Sequence, residues 1–163
     1  MKKEIVIKHV STVLKTGFDS FTDRLEKALG VLTPATLHAL GANPASMAPY
    51  LNNTADDNKL VLFNMLTQQD LTKSDGSQRI RQYQVGNPRI MSRMIAGNAG
   101  AGLYIPVHLL VFEKRNGKAM LQFDLPSSLF AQFNNPLLYL DSVNLENSIL
   151  NLVRLADENP NLS

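Results

Sequence analysis

Few side chains in this chain of 163 residues belong to types that do chemistry: there is no cysteine and there are only three histidines. His108 and Asp124 have the right identities for a general base and the carboxylate that orients it. Ser127 and Ser128 lack the Gly-x-Ser-x-Gly surroundings of an activated nucleophile, so they read as caps of a short turn. Asn87-Pro88 carries the start signal of a short helix, with Arg89 and Arg93 on one side of it. A helix start beside two arginines suits a small anion. Gly97 to Gly102 has the glycines of a phosphate loop but the reverse topology, following a helix and opening a strand, and it lacks Gly-Lys-Ser/Thr. It reads as a flexible connector. Met91 and Met94 with His108 are the soft donors a metal or haem would use, but methionines at helical spacing are core filling. No metal and no cofactor is expected.

Whether His108 and Asp124 can meet is a question of strand register. Tyr104 to Phe112 is an apolar run that reads as an interior strand, with Pro106 at its start because proline cannot donate to a ladder. Asn116-Gly117 follows, the strongest short hairpin signal. A two-residue turn there sets Arg115 opposite Lys118, Phe112 opposite Leu121, Leu110 opposite Phe123 and Leu109 opposite Asp124. His108 then faces Leu125, and its side chain points away from that of Asp124. Leu110, Phe112, Leu121 and Phe123 become the face that takes the helices. Val107, Leu109, Val111 and Met120, with Gln122 and Asp124, become a mixed face, too apolar for water alone, on which two chains are expected to pair as a homodimer.

The remaining elements follow from periodicity. Glu4–Val10 alternates as a strand, with His9 packing at its end. Thr16 to Asp19 has the spacing of a capping box. Phe18, Phe21, Leu25 and Leu29 form one helical stripe closed by Gly30. Thr33-Pro34 and Asn43-Pro44 start two short helices, the second running toward Tyr50, so that about 33–57 is a helical insert carrying His38. Lys59–Leu66 and Gln78–Val85 are strands, and Arg89–Ala96 is a short helix. Asn135-Pro136 opens a last helix whose stripe is Leu138, Leu145, Ile149, Leu152, Val153 and Ala156.

These blocks resemble a known family. Tyr83-Gln84-Val85-Gly86-Asn87-Pro88, Tyr104 through Val111, Asn116-Gly117, and Asp124-Leu125-Pro126-Ser127-Ser128-Leu129-Phe130 are together similar to the domain of unknown function 302 family. The resemblance implies an architecture likened to the TATA-box-binding protein, in β-α-β(4)-α order and usually dimeric. The order of elements read from periodicity agrees with it. Many members have cysteines in the stretches matching Val85–Pro88 and Ile105–Val107. This chain has Gly86 and Val107 there, and no cysteine to carry such a role. The family's name declares its function unestablished, so the resemblance implies fold and not chemistry.

A single α+β domain over 1–163 is therefore expected, a mostly antiparallel sheet with helices packed on one face. A net charge of +2 is too small to argue for nucleic acid. The N-terminus has no apolar leader and no run approaches membrane-span length, so a cytoplasmic protein is expected. The favoured function is a dimeric module binding a small, anionic ligand through Asn87, Arg89, Arg93, His108, Ser127 and Ser128, without catalysis. The competing readings are a hydrolase-like or other enzyme using His108 and Asp124, and a nucleic-acid surface built from Arg79, Arg81, Arg89, Arg93, Lys114, Arg115 and Lys118.

Overall fold

Val107, Leu109 and Val111 on one strand, Ala119, Leu121 and Phe123 on the next, and Tyr83 and Val85 on a third are all buried, and they make one side of the sheet apolar. The helices lie on that side. The computed structural model describes residues 2–32, 34–42, 49, 59–67 and 79–158. Its elements are β1 (His9–Val13), α1 (Phe18–Ala28), β2 (Gly30–Val31), α2 (Pro34–Ala42), β3 (Val61–Thr67), β4 (Ile80–Gly86), α3 (Pro88–Gly97), β5 (Val107–Glu113), β6 (Ala119–Asp124), α4 (Pro126–Phe130) and α5 (Pro136–Glu158). The sheet has six strands in the order β1-β6-β5-β4-β3-β2, antiparallel except where β2 meets β3. The α+β class with helices on one face is as expected. Among the described residues no helix is long and apolar enough to cross a membrane.

The helical stripes hold. Phe18, Phe21, Leu25 and Leu29 are buried, as are Leu138, Leu145, Ile149, Leu152 and Ala156. α5 has 23 residues, about 34 Å of helix, long enough to lie across the sheet. Asn135 caps it by accepting from the amides of Leu137 and Leu138. α2 falls inside the expected insert. The second helix expected there lies outside the described residues.

Three local expectations are corrected. β1 begins at His9, not Glu4, because its partner runs out: β6 ends at Asp124, Leu125 N donates to Lys8 O, and Pro126 opens a helix. Gly97–Gly102 is not a loose connector. Residues Ala99–Leu103 form a 3-10 turn in which Asn98 accepts from Gly100 N, and a Cβ at Gly100 would lie 3.2 Å from the Phe133 ring. The capping box is not formed either. Gly17 is the N-cap of α1 and makes no side-chain cap, while Thr16 is held by α5. Asp157 accepts from Lys15 N at 2.9 Å, Thr16 N at 3.0 Å and Thr16 Oγ1 at 3.0 Å. Asp157→Ala leaves those donors to water and is expected to cost about 1–2 kcal/mol, measured as a lower urea midpoint with an unchanged m-value.

The largest correction concerns the β5–β6 turn. Lys114 N donates to Lys118 O at 2.8 Å and Gly117 N to Lys114 O at 2.9 Å, so residues 115–117 close the hairpin. Gly117 alone in that loop has positive φ, at 77°, the arrangement of a turn followed by a glycine bulge. Val111 therefore pairs with Leu121, Phe112 with Met120 and Leu110 with Gln122. Each partner is one residue away from the expected one, so β5 turns its other side to the helices. Val107, Leu109 and Val111 are core residues at 4%, 0% and 0% exposure. They are not available to pair two chains, and Leu110 and Phe112 take the outer face instead.

Candidate functional site

The bulged register brings together the residues that a two-residue turn would separate. β1 pairs His9 with Asp124, β4 pairs Gln84 with His108, and β3 pairs Asn64 with Gln84. Leu110 opposite Gln122 places His108, two residues on, across from Asp124. His9, Asp124, His108, Gln84 and Asn64 thus form a polar row across the outer face at the end of the sheet nearest α4. His108 and Asp124 share a face, contrary to expectation. The carboxylate bonds the other neighbour, however: His9 Nδ1 donates to Asp124 Oδ1 at 2.7 Å. At 51% and 46% side-chain exposure this pair adds little stability.

Beside that row lies a cleft of about 240 Å³. Ile7, Leu103, Tyr104, Pro106 and Leu129 wall it, and His108 and Asp124 are its polar members. Identifiable contacts fix Tyr104 and the segments that carry Ile7 and Leu129. The Tyr104 ring meets Phe130 and Phe133 edge-on at 6.0 and 6.2 Å between centroids. Ser128 Oγ donates to Leu125 O at 2.8 Å and accepts from Lys8 N at 2.9 Å, tying the segment that carries Ile7 to α4. Ser127 N donates to Glu146 on α5. Both serines hold the structure around the cleft, but neither caps α4, whose N-cap is Leu125 without a side-chain bond.

A family model described as "Domain of unknown function DUF302" matches residues 44–153. The chain belongs to the DUF302 family. The match contains His108 and Asp124, and His9 precedes it. The crystal structure of an uncharacterized conserved DUF302 protein from Bacillus stearothermophilus is similar, with a TM-score of 0.61 at 17% identity, covering 89% of this chain and 94% of that one. At that identity the likeness is one of fold. No curated protein matches.

In this DUF302 protein the other expected site residues do not converge on the cleft. Asn87 is fully buried; its Oδ1 accepts from Ile90 N at 3.0 Å and its Nδ2 donates to Lys59 O at 2.8 Å. It caps α3 and ties it to the chain entering β3. Arg93 pairs with Asp141 on α5 at 2.6 Å, and Arg89 is half-buried and partnered. None of the three lines the cleft beside His108. Met91 and Met94 are buried under α3, on the other side of the sheet from His108. Among the described residues no group of three or more His, Asp or Glu side chains suits a metal. Two members of the expected basic surface are already neutralised. Arg79 bonds Glu113 and Asp19, Arg81 bonds Glu26, and the two guanidiniums lie 4.8 and 5.5 Å from the Phe18 ring centroid. Hydrogen bonding to Arg79 holds the Glu113 carboxyl below the ordinary range, and the same bonds raise the guanidinium above its own.

His9 is the site residue that sequence reasoning assigned to packing. Nothing in its own neighbourhood marks it. The signal lies in pairing β1 with β6, which sets it opposite Asp124.

Proposed function

We propose that this protein is a small-molecule-binding module whose ligand enters the cleft between the N-terminal segment, the β5–β6 strands and α4. One observation carries the reading: a carboxylate and an imidazole stand at the mouth of a cleft otherwise walled by apolar and aromatic side chains. That is the usual make-up of a small-ligand site, with apolar walls and a few convergent polar groups. The test is a fragment screen by ¹³C-methyl NMR. Binders are expected to shift Ile7, Leu103 and Leu129 together. They are expected to lose their effect in Leu129→Trp, which fills the space. Binders that ignore that substitution, or shift residues elsewhere, count against the cleft.

The 2.7 Å bond from His9 to Asp124 favours one second reading, acid–base chemistry on the bound molecule. A carboxylate that fixes one imidazole nitrogen leaves the other free to move a proton. In that reading a bound fragment is converted by the protein, and His9→Gln stops conversion while leaving Kd within about twofold. A fragment recovered unchanged from prolonged incubation opposes it.

A further inference from the structure

The geometry points to a cation rather than an anion as the ligand of this cleft: a small primary amine carrying an apolar tail. This inference rests on the cleft being the binding site. Its first support is charge. Among the described residues, Asp124 is the carboxylate of the lining and no lysine or arginine lines the space. An anion entering there approaches a carboxylate with no guanidinium or ammonium to offset it. An ammonium meets a complementary charge in a partly apolar setting, where such contacts are stronger than in water.

The second support is the carboxylate's unfinished hydrogen bonding. His9 occupies Oδ1. Among the described residues Oδ2 accepts from no protein donor, although an ionised carboxylate has about four acceptor positions. An ammonium brings three donors. One goes to Oδ2, and an imidazole nitrogen of His108 across the ladder is a second acceptor. The third support is apolar surface left in water. Leu103 is 80% exposed and Ile7 44% exposed, while Leu129 in the same lining is 8% exposed. A short alkyl or aryl tail packed against Leu103 and Ile7 removes that surface from water at about 25 cal/mol per Å². Size limits the tail. About 240 Å³ corresponds to roughly eight waters' share of liquid, so the ligand is a molecule of the bulk of phenylethylamine, not a peptide.

The test uses three matched probes on the full chain: 2-phenylethylamine, 2-phenylethanol and 3-phenylpropanoate. Their affinities are read from the methyl shifts of Ile7, Leu103 and Leu129. The amine is expected to bind at least tenfold more tightly than the alcohol, with the carboxylate weakest. Asp124→Asn is expected to remove the amine's advantage, bringing the amine and the alcohol to within about twofold of each other. Equal affinities for all three, or a carboxylate that binds tightest, overturn the amine assignment and leave the cleft standing as a site. No shift from any probe overturns both. Should Asp124→Asn fail to fold, the ratio of amine to alcohol on the unmodified protein decides the matter alone.

Discussion

Replacing Phe130 by alanine is expected to cost about 3–5 kcal/mol, the range for removing a fully buried phenylalanine. Its ring has 0% exposure and stands at the centre of an aromatic cluster, 6.0 Å from Tyr104 and 5.7 Å from Phe133 between centroids. The loss has two parts, the transfer of the ring and the cavity left behind. The edge-on contact with Tyr104 adds about 0.5–1.5 kcal/mol that area alone does not count. For a chain of this length the thermal midpoint should fall by roughly 2–4 °C for each kcal/mol. The consequence reaches the cleft, because Tyr104 and its neighbour Leu129 are two of its walls. Phe130→Ala is therefore expected to weaken any cleft ligand as well as the fold. Phe130→Leu, which keeps most of the volume, should cost under about 1.5 kcal/mol and spare binding. Urea denaturation of both variants measures this. A loss below 1 kcal/mol for alanine would mean the ring is not packed as described.

Much of the fold is legible in the sequence because helices announce themselves locally. Asn87-Pro88 and Asn135-Pro136 are start signals whose side chains accept the first free amides, and the stripes of α1 and α5 need no partner to be read. The hairpin is different. Asn-Gly suits both a two-residue turn and a three-residue loop with a glycine bulge, since each gives Gly117 a positive φ. They differ in Asn116 and in one residue of register. That single residue decided which side of β5 met the helices, and with it the fate of His108, Asp124 and the expected dimer face. With the bulge, Val107, Leu109, Val111, Ala119, Leu121 and Phe123 share one face with Glu113 at the strand end, and His108, Gln122 and Asp124 share the other. Either register leaves one polar residue apart from the rest, Glu113 in one and His108 in the other, so polar segregation does not decide between them. The pairing of β1 with β6, which recruits His9, is a contact over more than a hundred residues and leaves no local trace.

The same sheet carries a group whose titration should show in stability at alkaline pH. Tyr83 is fully buried, its hydroxyl donates to Glu26 Oε1 at 2.7 Å, and Arg81 donates to the same oxygen at 2.8 Å. Burial first, and then the hydrogen bond to Glu26, raise the phenol well above its ordinary value of 10.0, with Arg81 acting in the opposite sense. The unfolded chain has no such restraint. Above about pH 10 its phenol ionises while the folded one keeps its proton. The stabilisation is whole below that pH and falls by about 1.4 kcal/mol for each further unit. Tyr83→Phe removes this term and also removes a hydrogen bond to a charged acceptor, worth about 1.5–3 kcal/mol. The variant is thus expected to be the weaker protein at pH 8 and to overtake the parent between about pH 11 and 12, where the lost bond and the accumulated slope balance. Lysines and the other tyrosines titrate in both proteins and drop out of the difference. Urea unfolding of the pair from pH 8 to 12 measures it. A difference that stays flat across that range would mean that the Tyr83 phenol loses its proton as readily in the folded chain as in the unfolded one, and that neither its burial nor its bond to Glu26 is as described.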